Sequence, residues 1–274
     1  MKDVKVLVLT GYGLNCDNET AYAFELAGAV STRVHINSLI EGSVDLDEYH
    51  ILVFGGGFSW GDDHGAGVVQ AVRLKTHIGK EIQAFINKGK LIIGICNGFQ
   101  TLVNMGLLPG FDNDYTSREV ALTYNDCGNF RDDWVNLSTN ENSPCVFTKG
   151  LKTVEYPIRH GEGKFYANKE VLDKLISNNQ VVFRYAKSNG EAAEKSFPEN
   201  PNGSEYDIAG ICDETGRIFG LMPHPEAYKH WTNHPSWTRD REETSRIGDS
   251  ASDDLTDGIR LFRNGVDYIK AAGL

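Results

Sequence analysis

The chain lacks the marks of several protein classes. No apolar run approaches the ~18 residues of a membrane-crossing helix, so no membrane association is expected. No cleavable apolar leader precedes the first strand-like run, because Met1-Lys2-Asp3-Val4 leads almost straight into it, and a cytoplasmic location is expected. The five cysteines, Cys16, Cys96, Cys127, Cys145 and Cys212, are odd in number and form no C-x-x-C pair. That argues against a disulfide framework and against a structural zinc site, and leaves each cysteine as buried filler or a reactive thiol. Positive charge is scarce. With 27 Lys and Arg against 38 Asp and Glu the net charge is −11, which disfavours general binding to nucleic-acid backbones but not a locally basic site. No G-x-x-x-x-G-K-[ST] is present, so the chain itself is not expected to use ATP. No G-x-G-x-x-G opens a helix after a strand, and Gly65-Ala66-Gly67-Val68-Val69-Gln70 breaks at its last position.

What remains is ordinary globular usage: 274 residues, 40% hydrophobic and 24% charged, enough to bury a sizeable core. Strands are expected at Val4–Thr10, Val30–Ile36, Ile51–Phe54 and the wholly apolar Leu91–Ile95. Helices are expected over about Asn18–Ala27, over a stretch whose apolar face is Val72, Ile78, Ile82, Phe85 and Ile86, and over about Asn97–Asn104. Gly28, Gly89 and Gly106 stop them. This order predicts an α/β fold, an open, mostly parallel doubly wound sheet with helices on both faces. Further strands are expected at Glu119–Tyr124, Trp134–Ser138, Val154–Ile158, Val181–Ala186, Ile208–Cys212 and Ile218–Leu221, then a last helix over about Thr256–Ala271. There is no internal repeat and no linker, so a single domain over 1–274 is expected. Lys229–Asp254, polar and aperiodic, reads as a long loop or partly disordered insertion.

The sharpest chemical signal is Gly94-Ile95-Cys96-Asn97-Gly98, directly after an apolar strand and before a helix. G-x-C-x-G is the thiol form of a nucleophile elbow: small neighbours let a strained turn and its helix approach, and the side chain stands at the carboxyl end of the sheet. A helix N-terminus also favours thiolate over thiol. The plainer alternative is a buried cysteine beside helix-packing glycines. A cysteine nucleophile needs a base, and Met222-Pro223-His224-Pro225-Glu226 offers one, its prolines stiffening the segment. Glu226 is placed to bond the second ring nitrogen and fix the tautomer. The alternative is a surface turn that happens to contain histidine. Gly55-Gly56-Gly57, at a strand end, suits converging backbone N–H groups, either an oxyanion hole completed by Asn97 or merely a mobile turn or phosphate cradle.

Together these motifs resemble the class I, triad-type glutamine amidotransferases, over most of the chain. The resemblance implies Cys96 as nucleophile, His224 as acid and base and Glu226 as its orienter. Phe54-Gly55-Gly56-Gly57-Phe58-Ser59-Trp60-Gly61-Asp62, Cys96-Asn97-Gly98-Phe99-Gln100, Pro157-Ile158-Arg159-His160-Gly161-Glu162-Gly163 and Pro198-Glu199-Asn200-Pro201-Asn202-Gly203-Ser204 are similar to runs in the glutaminase part of phosphoribosylformylglycinamidine synthase. That implies glutamine hydrolysis, with ammonia passed to a separate synthetase subunit, which would hold ATP and Mg, and a possible small accessory subunit. No cofactor or metal is expected in this chain. Gln100, His160 and Glu162 are the candidate glutamine contacts; a helix cap and a solvated turn are the alternatives. Trp231, His234 and Trp237 are partner contacts or a small packing cluster, and His230 with His234 lacks an acidic third ligand for a metal. The chain departs from the resemblance in having Ala227 where an arginine is usual, a difference that bears on partner contacts and not on the triad. The competing classes are an amidotransferase of another pathway, a non-catalytic relative with a vestigial elbow, and another cysteine hydrolase of similar topology.

Overall fold

The computed structural model describes residues 3–246 and 255–274. Its first strands are β1 (Lys5–Thr10), β2 (Val30–His35), β3 (Ile51–Phe54) and β4 (Leu91–Ile95), with helices α1 (Asp17–Leu26), α2 (Ile36–Ile40), α3 (Val68–Asn87) and α4 (Asn97–Met105) between and after them. The second part adds β5 (Ala121–Thr123), β6 (Arg131–Thr139), β7 (Thr153–His160), β8 (Lys164–Tyr166), β9 (Val181–Ala186), β10 (Ile208–Cys212) and β11 (Ile218–Leu221). Its helices are α5 (Lys169–Ser177), α6 (Trp237–Arg246) and α7 (Asp257–Ala272).

Nine strands form one sheet in the order β2-β1-β3-β4-β11-β10-β9-β6-β7. The first five are mutually parallel, and the remaining four continue the sheet antiparallel. The chain is thus a mixed α/β sheet, doubly wound in its parallel half. β3 and β4 are buried at every residue, which is why they read as unbroken apolar runs. Helices pack in pairs, α1 against α7 through Phe24 and Phe262 at 4.7 Å, and α3 against α4. β5 and β8 form a separate two-stranded sheet. Among the described residues no helix is long and apolar enough to cross a membrane.

Two sequence expectations need correction. Val72 lies off the buried face of α3 and is 59% exposed. Six residues span about one and two-thirds turns, so Val72 cannot share a face with Ile78. The 229–254 stretch is not loop throughout, because α6 occupies Trp237–Arg246; residues 247–254 lie outside the described residues. α6 has no buried residue and carries ion pairs Arg239–Glu243 and Arg246–Glu242 at i,i+4, the kind of support a helix polar beyond its first residue requires.

One feature of the topology governs the site. Five strand spacings separate β4 from β7, about 24 Å on a flat sheet. Yet Cys96, at the end of β4, lies with Sγ 3.6 Å from the Arg159 carbonyl in β7, and the His224 N–H donates to the Pro157 carbonyl at 2.8 Å. The antiparallel half therefore curls back over the carboxyl ends of the parallel strands. The register breaks between β9 and β10 on either side of Gly210, a local irregularity of the kind that increases strand bending.

Candidate active site

Cys96 occupies the turn between β4 and α4 with φ 52° and ψ −107°, a strained conformation for a residue with a side chain. The flanking glycines are there for close approach. A methyl at Gly98 would sit 1.9 Å from the Phe54 carbonyl oxygen, and one at Gly94 2.7 Å from the Gly98 carbonyl oxygen. Only bare backbone lets α4 seat this tightly on β3 and β4. Cys96 is 4% exposed yet lines a cavity of about 490 Å³, and Asn97 opens the helix, its N–H having no intrahelical partner.

His224 follows β11. Pro225 starts a single 3₁₀ turn, Pro225–Ala227, that swings Glu226 back beneath the imidazole. Nδ1 of His224 and Oε1 of Glu226 are 2.6 Å apart, with both residues 1% exposed. Burial alone pushes the imidazole's pKa down. The Glu226 carboxylate, and after it the neighbouring Cys96 and Cys16 sulfurs, reverse this and hold it well above its ordinary value. Nε2 makes no well-formed hydrogen bond. A methyl at Gly56 would lie 2.7 Å from His224 Cε1, so the glycine loop must be bare where the imidazole rests on it.

Cys16 is a member of the site that sequence reasoning missed. Its thiol donates to Asn15 Oδ1 at 3.3 Å and lies beside His224. Burial pushes its pKa up, partly offset by that imidazole, so it remains a neutral thiol. Ligand atoms of Cys16, His224 and Glu226 fall within 4.8 Å of one another, the geometry of a possible metal group. The 2.6 Å bond already joins two of those three residues.

The 490 Å³ cavity brings together Gly57, Cys96, Gln100, His160 and Glu162, and also Asp62, Tyr124 and Arg159, which sequence reasoning had not assigned to the site. Gln100 is bonded at both ends of its amide: Nε2 donates to the Glu162 carbonyl at 2.6 Å, and Oε1 accepts from Asn97 Nδ2 at 3.1 Å. His160 closes strand β7 rather than sitting in a loop, because its pairing with Arg131 extends the ladder to that residue. It is 2% exposed, and burial, then the charge of His224, pushes its pKa down to about 3. A neutral imidazole results, not a solvated turn. Asn202 and Ser204 buttress this wall from outside, Asn202 Nδ2 donating to the Gly163 carbonyl at 2.9 Å. Their run is thus structural support.

Away from the cavity, Trp231 packs edge-on to Trp237 at 5.3 Å and His234 against Trp134 at 4.6 Å, with His234 Nε2 2.9 Å from Glu155. They form two separate contact groups, Trp231 with Trp237 and His234 with Trp134. His230 turns instead to Thr232, at 2.8 Å.

A family model described as CobB/CobQ-like glutamine amidotransferase domain matches residues 3–269. The chain is 46% identical over 264 residues to phosphoribosylformylglycinamidine synthase subunit PurQ of Methanococcus maripaludis strain C7, covering 96% of this chain and 97% of the relative. It is 44% identical over 272 residues to the subunit of the same name from Dehalococcoides mccartyi, covering 98% and 99%. Among solved structures, PurLQS from Thermotoga maritima matches with a TM-score of 0.68 and 32% identity, over 98% of this chain and 100% of that one. A glutamine amidotransferase from Thermotoga maritima shares the fold at 16% identity and a TM-score of 0.50, over 99% of this chain and 94% of that one.

Proposed function

The chain belongs to the CobB/CobQ-like glutamine amidotransferase family and, within it, to the PurQ subunits of phosphoribosylformylglycinamidine synthase, and from that premise we propose that it hydrolyses glutamine at Cys96 and delivers the ammonia to a synthetase subunit. The observation that carries the assignment of the centre is the strained Cys96 elbow beside the buried His224–Glu226 pair, 2.6 Å apart. The Cys96 sulfur attacks the carboxamide carbon, forming a C–S bond. The N–H groups of Asn97 and of Gly56 or Gly57 take the oxyanion; one such donor is worth about 2.7–4 kcal/mol in other enzymes. As the C–N bond breaks, His224 gives its proton to the departing ammonia. It then takes a proton from water, which attacks the thioester, releases glutamate and restores the sulfur.

The synthetase partner uses the ammonia to convert formylglycinamide ribonucleotide to the amidine, and ATP and Mg belong to that partner. Free ammonia is mostly protonated at neutral pH and then cannot act as a nucleophile, so it must pass between the centres shielded from bulk water. The reaction belongs in the cytoplasm, a reducing compartment that suits five free cysteines. The direct test is glutamate release by the complex with the synthetase. Cys96→Ala should abolish it while leaving far-UV dichroism and the unfolding midpoint near the parent's. Full activity in that variant would remove Cys96 from the mechanism.

A further inference from the structure

The mechanism above uses one sulfur, but two rest against His224. Cys16, the residue before α1, is 6% exposed, and its thiol takes part in none of the steps. The sulfurs of Cys16 and Cys96 both reach the same imidazole. One ligand atom from each of Cys16, His224 and Glu226 lies within 4.8 Å of the other two. Two polar atoms of this group, His224 Nε2 and Glu226 Oε2, are buried without a well-formed hydrogen bond, on residues only 1% exposed. Buried acceptors in that condition are costly unless a ligand meets them.

The donor set decides which ligand fits. Two sulfurs and an imidazole nitrogen suit zinc and its softer neighbours, whereas magnesium and calcium want oxygen. Glu226 is not itself a ligand in this arrangement. Its Oε1 is 2.6 Å from His224 Nδ1, whereas donors about 2.0–2.1 Å from a tetrahedral zinc stand roughly 3.3 Å apart. The carboxylate is instead the outer partner that metal-bound histidines commonly have: it takes the Nδ1 proton and leaves the lone pair on Nε2. An approach exists from the α1 side. Cys16 and His224 line a second cavity, of about 210 Å³, with the oxygen donors Asn15 and Glu19 in its wall. Arg159 lines both cavities and opposes a cation. Two thiolates and the Glu226 carboxylate carry three negative charges, which match the ion's two positive charges and the one on Arg159.

We propose that Cys16, Cys96 and His224 Nε2 form an inhibitory binding site for zinc, with Glu226 holding the imidazole from behind. The ion gains two Zn–S bonds and one Zn–N bond. Each sulfur binds as thiolate and Nε2 as bare nitrogen, so the protons they held pass to solvent and nothing is oxidised or reduced. A zinc-bound Cys96 cannot attack a carboxamide, and a zinc-bound Nε2 cannot carry a proton. Binding of the ion depends only on these side chains; its effect on rate rests on the glutaminase reading.

The test uses cobalt(II) and zinc as probes. Cobalt(II) added to the full chain should give a thiolate-to-metal absorption band, and zinc should displace it. Cys16→Ser retains a donor for Asn15 Oδ1 in nearly the same volume, and Cys16→Ala serves if that variant does not fold. Either should weaken zinc by about 100-fold or more in the displacement titration, a larger loss than the roughly 10–100-fold expected of Glu226→Gln, which alters only the outer partner. Magnesium should leave the band untouched. In the complex with the synthetase, zinc should suppress glutamate release and a chelator should restore it. The zinc concentration that halves each protein's own rate should rise about 100-fold in the Cys16 variant. The partner is the same in both complexes, so zinc acting on the synthetase cannot produce that difference. No thiolate band in the parent, equal zinc affinity with and without Cys16, or inhibition that a chelator does not reverse overturns the site. If the parent complex releases no glutamate before zinc is added, the glutaminase reading falls and the displacement titration still decides the site. If it releases glutamate at a rate zinc does not change, the inhibitory site alone falls.

Discussion

His224 carries its charge in a place that would otherwise forbid it, and Glu226 is the reason. Removing the imidazole removes proton transfer outright, whereas Glu226→Gln leaves the ring and loses only its orientation and charge support. His224→Ala should therefore cost glutamate release on the order of 10²–10⁴-fold, and Glu226→Gln less. The opposite order in kcat, measured with the synthetase present, would undo the assigned roles. The stability effect has a defined sign. The folded imidazole's pKa is raised, so its stabilising contribution is full below about pH 6.5 and is lost as pH rises through the folded value. Urea midpoints of the parent and Glu226→Gln should converge with rising pH. For Asp62 the pH trend has the same sign: an acid raised to about 6, by burial and then by the charge of Glu162, holds its proton more tightly in the folded state, so it costs stability as pH rises from about 4 through 6. Asp62→Asn should therefore gain stability at pH 7, on the order of 1 kcal/mol once half-exposure is allowed for. The grouping of Cys96, His224 and Glu226 was legible because each residue sits in a short local motif. Asp62 and Cys16 were not, because only the folded chain brings distant loops together.

The elements that read correctly are those whose surroundings are uniform. Ile51–Phe54, Leu91–Ile95, Val181–Ala186, Ile208–Cys212 and Ile218–Leu221 appear at the expected boundaries, being largely or wholly buried. α5 went unread although its signals exist: Asn168 caps it by accepting from the Val171 N–H at 2.9 Å, and Leu172 and Leu175 are buried four and seven residues on. Nine residues between two strands offer too little periodicity to outweigh a loop. β8 is three residues long and exists only by pairing with β5. The elbow glycines make an element-scale prediction. Gly98→Ala places a methyl against the Phe54 carbonyl, a backbone group that cannot step aside, and should destabilise the fold by about 1–3 kcal/mol or more. Gly79→Ala, inside α3 with nothing within 4 Å of the added methyl, should stabilise by about 0.5–1 kcal/mol. Urea denaturation of the two variants checks both; equal effects would show that the tight seat of α4 is not what the glycines serve.

Across the whole molecule the centre is assembled from six places: the loop between β1 and α1, the ends of β3 and β4, the loop after β5, the turn after β11, and the far edge strand β7. Composition and periodicity forecast the doubly wound half but carried no sign of the curl, because curling depends on the register break beside Gly210 and on pairings between strands far apart in sequence. Because β7 supplies one wall, the antiparallel half is part of the cavity rather than an appendage. The chain's product nevertheless matters only where a second subunit consumes it, and that separates making ammonia from using it. Cys96→Ala in the full complex should therefore lose glutamine-driven amidine formation on the order of 10³-fold or more. Formation driven by added ammonium salt should persist within about twofold, because the synthetase centre is untouched. That residual rate should climb with pH as more of the salt becomes free ammonia. Loss of both activities would mean that the substitution acts through the assembly, and persistence of the glutamine-driven rate would mean that the nucleophile lies elsewhere. Only the split outcome assigns the thiol to supply and the partner to demand.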